Sequence, residues 1–302
     1  LTVHFGLASL DPDWQGATVC IGVFDGVHLG HRMLIRTAVE TAQAEEVPAV
    51  LLTFDRHPLS VLAPARAPLP LAGLAQNLRQ FAELGAAATV VLPFDASLAA
   101  TPAHDFLEGV LRSRIRAVRL VVGHDFALGR NREGTAEWLA QRAPTTVVPP
   151  YEIDGLRVSS TMIRQAVAEG RVEDAVRWLG RPFELEGTVV PGQRLGRRLG
   201  FPTANLALPE RLAVPADGVY SAWAETSHGR FKSAVSIGCR PAVGGGSRSI
   251  EAHLLDFPAT GLYGSSLRLQ FVQRLREERG FKDLDALQRQ MAADVERVRA
   301  NL

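Results

Sequence analysis

The chain has 302 residues, 46% hydrophobic and 22% charged, with a formal net charge of +1. Such a composition describes a folded globular chain with room for two domains, and it excludes disordered and collagen-like polymers. The near-neutral balance removes any bulk electrostatic drive toward nucleic acid or anionic membrane, so only local arginine clusters are left to hold phosphate.

Cys20 and Cys239 lie far apart and outside any CxxC, so neither a disulfide framework nor a zinc site is expected. Cys20 sits in an apolar run and suits core packing. No apolar run approaches the roughly 18 residues of a membrane span. Nor does a basic-then-apolar leader open the sequence, so the expected address is the cytoplasm.

In chain order, the strand at 18–21 runs into Gly22-Val23-Phe24-Asp25-Gly26-Val27-His28-Leu29-Gly30-His31. A periodic helix with Met33, Leu34, Ile35, Ala38 and Val39 follows. Glycines at 22, 26 and 30 let the backbone turn and approach a ligand closely. His28 and His31, three apart, share one face of the first helical turn. A helix N-terminus offers open N–H groups and a positive dipole end, which suits phosphate. Two solvated histidines are the plainer reading; the glycine spacing and adjacent Asp25 favour the phosphate site. The spacing matches neither the dinucleotide fingerprint nor a P-loop.

Further strands are predicted at 51–54, 89–92 and 118–122, with a helix bearing Leu74, Leu78, Phe81 and Leu84 and stopped by Gly85. Thr101 and Pro102 are predicted as N-cap and first residue of a helix carrying Phe106, Leu107, Val110 and Leu111. Repeated βα units imply an α/β domain, a parallel sheet with helices on both faces and ligands beyond the strands' carboxyl ends. The polar loops after Ile21, Phe54 and Val122 fall there, which favours one shared site. The third contains Asp125, Arg130 and Arg132. Gly129 and Gly134 have P-loop separation, but Thr135 stands where a lysine is needed, so a P-loop is rejected.

Arg157-Val158-Ser159-Ser160-Thr161-Met162-Ile163-Arg164 then enters a helix. The hydroxyls can be simple N-caps, or they can join the two arginines in a triphosphate clamp. Two short helices follow, and Leu179-Gly180-Arg181-Pro182 marks the expected boundary between domains 1–182 and 183–302.

Beyond Pro182, short strands at 183–190, 218–223, 231–237, 250–257 and 267–271 predict a small antiparallel barrel. A final amphipathic helix with Leu284, Leu287, Met291, Val295 and Val298 is expected to pack on it. Within this half, Gly192, Gly196 and Gly200 space a loop that carries Arg194, Arg197 and Arg198, the flexibility and charge that phosphate cradling needs. Thr203 and Asn205 flank Ala204, so an extended backbone turns both to one side, where a hydroxyl and an amide oxygen can ligate Mg²⁺. An RNA-binding arginine loop is the weaker alternative, since no aromatic platform accompanies it. Glu251 and His253 share a strand face. Glu251 is either a general base or an exposed strand carboxylate.

The string G-V-F-D-G-V-H-L-G-H resembles the H-x-G-H nucleotidyltransferase signature as it occurs in bacterial FAD synthetases. Together with T-F-D-x-H-P, V-V-G-x-D-F, S-S-T-x-I-R, G-R-x-L-G-F-P-T-A-N, E-x-H-L-L-D-F, L-Y-G and L-R-x-E, it makes nearly the whole chain similar to the prokaryotic bifunctional riboflavin kinase/FMN adenylyltransferase family. The resemblance implies a nucleotidyltransferase-like Rossmann-type domain followed by a riboflavin kinase barrel. It implies transfer of AMP from ATP to FMN in the first half, and of the γ-phosphate of ATP to riboflavin in the second. Mg²⁺ and ATP are implied as cofactor and co-substrate, with riboflavin, FMN and FAD as substrates and products. Small molecules are the implied partners, with no nucleic acid and no membrane; oligomeric state stays open.

By the same resemblance His28, His31 and Glu251 are catalytic. Gly22, Phe24, Asp25, Gly26, Gly30, Asp125, Arg157, Ser160, Thr161 and Arg164 bind nucleotide in the first half. Gly192, Gly196, Arg197, Gly200, Pro202, Thr203 and Asn205 do so in the second, Thr203 and Asn205 also holding the metal. Asp55 and His57, and Arg276 and Glu278, are implied flavin contacts. Arg56, Leu128, Ala242 and Gly261 depart from the family pattern. Retention of a single activity is an alternative, and so is a flavin- or nucleotide-responsive binding module.

Overall fold

A computed structural model describes residues 1–8, 10, 12–192, 195–239, 248–258 and 261–302. The departure at Ala242 therefore lies outside the described residues. The chain forms two compact units, Leu1–Ser160 and Thr161–Leu302.

In the first unit β1 (Thr2–Phe5), β2 (Ala17–Ile21), β3 (Ala49–Phe54), β4 (Ala88–Leu92), β5 (Ala117–Gly123) and β6 (Thr145–Val148) form one sheet. Their order is β1-β4-β3-β2-β5-β6 and every pairing is parallel. Alternation along the strands builds two cores. Val19, Ile21, Val50, Leu52, Val90, Leu120 and Val122 serve one. Cys20, Leu51 and Val121 serve the other, against Ile35 of α1 (Leu29–Ala44) and Phe81 of α2 (Leu74–Glu83). Each buried aliphatic side chain contributes roughly 1.5–3 kcal/mol, which is why the central strands are apolar on both faces. From β2 the chain winds through β3 and β4 to one side, while β5 and β6 extend the other. That reversal opens a crevice beyond the carboxyl ends of β2 and β5.

Around Thr101 the structure differs from the sequence expectation. A helix over Ala96–Ala100 comes first, capped by Asp95, whose carboxylate accepts from Leu98 N–H at 2.8 Å. Thr101 is the C-cap of that helix and not an N-cap; its hydroxyl donates back to Ser97 O at 3.1 Å. The next helix, Ala103–Asp105, has Pro102 at its cap position and continues as a π-helix over Phe106–Arg112. Its open Ala103 N–H is met by the Glu133 carboxylate at 2.8 Å, a partner from far along the chain that no local pattern reveals. In the polar loop after β5, two-residue strands Ala127–Leu128 and Gly134–Thr135 pair antiparallel. A Cβ on Gly129 (φ +75°) would lie 2.6 Å from the Ala103 backbone, so this glycine answers to close packing.

The second unit contains a closed antiparallel barrel. It is built from β7 (Phe183–Val190), β8 (Ala204–Ala207), β9 (Gly218–Thr226), β10 (Gly229–Cys239), β11 (Arg248–Leu254) and β12 (Ser266–Arg276) in the order β7-β8-β11-β10-β9-β12. Closure comes from β7 pairing with both β8 and β12. Before the barrel, helix α3 (Ser160–Ala168) begins at the last residue of the first unit, and α4 (Val172–Leu179) follows it. Glu173 of α4 accepts from Arg274 N–H at 3.0 Å, fastening α4 to β12. The last helix, α5 (Leu284–Asn301), packs Val298 and Val295 against Val219, Leu255 and Leu275, as its apolar stripe predicts. Leu284, at 51% exposure, stands outside that contact.

Candidate active sites

In the first unit the turn from β2 into α1 is wound tightly around its own side chains. Phe24 and Val27 both take positive φ (+52° and +42°) and both are buried. Such backbone is uncommon for side chains of this kind and clusters at functional sites. The Phe24 ring meets His31 edge-on at 5.5 Å and Phe81 at 5.4 Å. A Cβ on Gly22 would sit 2.9 Å from the Phe24 ring. Phe24 is thus a buried support under the loop. Asp25 is buried too; its carboxylate accepts from Leu71 N–H at 2.8 Å and its carbonyl from the Ser160 hydroxyl at 2.9 Å.

His28 is the N-cap of α1 and its Nδ1 accepts from His31 N–H at 3.3 Å. With Nδ1 used as an acceptor, the proton of the neutral ring sits on Nε2. The two imidazoles stack with centroids 3.6 Å apart and planes 18° from parallel. A Cβ on Gly30 would come within 3.1 Å of the His28 ring.

Across the crevice Asp125 pairs with Arg157 at 2.5 Å, and Arg132 donates to the Asp125 carbonyl at 3.0 Å. Burial alone would raise the Asp125 carboxyl, but the Arg157 guanidinium outweighs it and holds the carboxyl below its usual range. At the end of β3, Asp55 accepts from Phe94 N–H at 2.9 Å and pairs with Arg56 at 2.9 Å, which outweighs its burial and lowers its carboxyl. His57 Nδ1 accepts from Leu59 N–H at 3.1 Å. The unusual Arg56 is therefore bonded to an implied flavin contact. The structure brings together the loops at Gly22–His31, Asp125, Arg157 and Ser160. Thr161, exposed, and Arg164, half-buried, belong to the second unit.

In the second unit, two cavities share Thr203. One, of about 350 Å³, is lined by Gly196, Phe201, Glu251, Arg276, Glu278 and residues of α5 including Met291 and Asp294. The other, of about 440 Å³, is lined by Arg197, Pro202, Phe257, Gly261 and Tyr263 among others. Where they meet, the Thr203 hydroxyl donates to the Glu251 carboxylate at 3.2 Å. Asn205 stands directly opposite Glu251 on β8 and β11. It is 8% exposed and roofed by Gly192, whose added Cβ would lie 2.2 Å from the Asn205 amide. His253 holds the Pro202 carbonyl at 2.8 Å, fixing the strand that carries Thr203. Gly200 turns the loop at φ +88°.

Thr203, Asn205 and Glu251 offer only hard oxygen donors and one carboxylate. That set fits Mg²⁺, which completes its shell with phosphate oxygens and water. No group of three or more His, Cys, Asp or Glu side chains able to hold a metal occurs among the described residues.

Also lining the first cavity, Glu278 lies against Gly238, and burial, with Asp217 adding to it, raises its carboxyl. Arg276 is clamped by Asp294, a residue the sequence reading passed over. The signal for it is spacing: position 294 continues the row Leu287, Met291 and Val298 on the packed side of α5, where a carboxylate is out of place.

Comparison with known proteins agrees with this division. The FAD synthetase family model matches residues 10–162 and the riboflavin kinase family model residues 179–302. The bifunctional riboflavin kinase/FMN adenylyltransferase of Pseudomonas fluorescens is 38% identical over 301 residues, 98% of this chain and 96% of its own length. The Escherichia coli K12 protein of the same description is 37% identical over 287 residues, covering 93% and 91%. A solved structure from Streptococcus pneumoniae, described as a macrolide-efflux protein, superposes with a TM-score of 0.91 at 30% identity over 99% of both chains. It shares the fold although its description names efflux. No helix among the described residues here is long and apolar enough to cross a membrane. With both family models matched in order and curated relatives aligned along almost its full length, the chain belongs to the bifunctional riboflavin kinase/FMN adenylyltransferase family.

Proposed function

We propose that residues 1–182 carry FMN adenylylation and residues 183–302 riboflavin phosphorylation, both from ATP and in the cytoplasm. The chain is a flavin-cofactor enzyme of two activities. The observation that carries the kinase half is the Thr203–Glu251 contact at the wall common to both cavities. A binding module that only senses flavin needs no carboxylate there.

In the first site the FMN phosphate attacks the α-phosphorus of ATP in line, and pyrophosphate leaves as the new P–O bond forms. His28 donates from Nε2, because its Nδ1 is committed to the helix. His31, Arg157 and Ser160 add donors around the phosphates, with the Gly22–Gly30 turn shaping the approach. Asp125 orients Arg157, and Asp55 with His57 receives the flavin. In the second site the nucleophile is a neutral hydroxyl, and Glu251 takes its proton as it attacks the γ-phosphorus. Gly192, Gly196, Arg197, Gly200, Pro202, Thr203 and Asn205 hold nucleotide, while Arg276 and Glu278 face the flavin. Thr203 and Asn205 would hold Mg²⁺, which would supply charge neutralisation at the phosphates when bound.

Supplied with riboflavin and Mg-ATP, the protein is expected to accumulate FMN first and FAD after a lag, read by chromatography of timed samples. FMN alone as product, or no turnover of either flavin, would overturn the two-activity reading. Gly192→Ala is expected to displace the Asn205 amide and raise KM for ATP about tenfold in riboflavin phosphorylation alone, equivalent to about 1.4 kcal/mol. An unchanged KM would remove Asn205 from the nucleotide site.

A further inference from the structure

We propose that Asp294 is the positioning residue of the flavin chamber, fixing through Arg276, Gln290 and Arg279 the aromatic wall at Phe281. The proposal rests on the reading that the 350 Å³ cavity receives the flavin.

Asp294 is 3% exposed on α5. Its carboxylate takes Arg276 from two sides, Nε at 3.1 Å and Nη2 at 2.8 Å. Gln290 Nε2 donates to its Oδ1 at 2.8 Å, and Arg279 in turn donates to the Gln290 side-chain oxygen. The remaining Arg276 nitrogen, Nη1, donates to Glu277 O at 2.9 Å. Each of the three guanidinium nitrogens of Arg276 thus has a partner, which fixes the plane of the group. The guanidinium groups of Arg276 and Arg279 both approach one ring, 5.8 Å and 5.4 Å from the Phe281 centroid. Arg276, Arg279, Phe281 and Asp294 all line the chamber.

Docking of α5 does not require this ion pair. Val295 and Val298 already pack on Val219, Leu255 and Leu275, and apolar residues at position 294 would pack as well or better. A buried carboxylate that is dispensable for packing, yet fixes two cationic groups around an aromatic ring, suits recognition of a flat heteroaromatic system.

Asp294→Asn keeps the size and removes the charge. In the full chain it is expected to raise KM for riboflavin about tenfold while KM for ATP stays within about twofold, since a buried charge pair has lost its anchor. Titration of riboflavin without ATP, followed by flavin fluorescence, should show Kd moving by the same factor. The double variant with Arg276→Lys should be no worse than the weaker single variant, because the pair acts as a unit. An unchanged riboflavin KM, or both KM values rising together with a lowered Tm, would overturn the proposal. Should Asp294→Asn fail to fold, Gln290→Met removes both Gln290 hydrogen bonds, to Asp294 and from Arg279, and leaves the Arg276 pair; a several-fold rise in riboflavin KM is expected, and no rise overturns the proposal. Met291→Trp fills the chamber without touching the polar chain. If it leaves riboflavin KM unchanged, the flavin-chamber reading fails. If it raises KM while Asp294→Asn does nothing, the reading stands and Asp294 loses its role.

Discussion

Replacing His28 with alanine is expected to slow FMN adenylylation about 10²–10³-fold, the loss that follows removal of one preorganised donor from a developing charge. The same protein should phosphorylate riboflavin at its normal rate, since Thr203 and Glu251 lie in the other unit. Alanine also removes the α1 cap, which costs about 0.5–2 kcal/mol of stability. That is a fraction of the 5–15 kcal/mol typical of a folded domain, so unfolding cannot account for a hundredfold loss. His28→Asn separates the two effects. An asparagine oxygen can accept from His31 N–H as the imidazole Nδ1 does, so the lost stability should return while adenylylation stays slow. Product chromatography and Tm measured on the same preparations decide it. Full adenylylation by His28→Ala would remove the imidazole from the chemistry.

Glu251→Gln should do the reverse, lowering kcat for riboflavin phosphorylation about 10²–10⁴-fold with FMN adenylylation intact. Glutamine keeps an oxygen that can accept from Thr203, now at 3.2 Å from the carboxylate, so the junction between the two cavities is preserved and only basicity is lost. A normal kcat with a raised KM for ATP would make Glu251 a ligand of the nucleotide or its metal and not the proton acceptor.

Much of this was legible in the sequence, for identifiable reasons. Central strands buried on both faces leave continuous apolar runs, so β2 through β5 stand out. Five of the six barrel strands alternate around Gly and Pro turns and overlap the predicted segments; Ala204–Ala207, only four residues long, is not among them. β1 escapes because Thr2–Phe5 is a short, partly exposed edge strand with a polar pattern. The Ala103 helix start escapes because its partner is Glu133, which only folding brings near. Among the candidate site residues, the motifs single out His28, Thr203 and Glu251, since turn chemistry and short-range spacing are local. Phe24 is named by its motif, but its burial beneath Gly22 and against His31 is a packing fact. Asp294 is missed because a list of apolar positions on α5 steps over the one polar residue that belongs to the same row.

The way the barrel shuts has a consequence for the order of events during synthesis. Its seam joins Phe183 to Phe271, so the first strand waits for the last. Pairings this distant in sequence slow folding, because a long loop must close before any contact rewards it. Thr203, Glu251 and Arg276 are spread along that same stretch, and no nascent chain shorter than 276 residues holds all three. Leaving the ribosome, the Leu1–Ser160 unit has all its own strands in hand well before the kinase chamber can exist. The sheet beneath the step that consumes FMN is therefore complete ahead of the barrel behind the step that makes it.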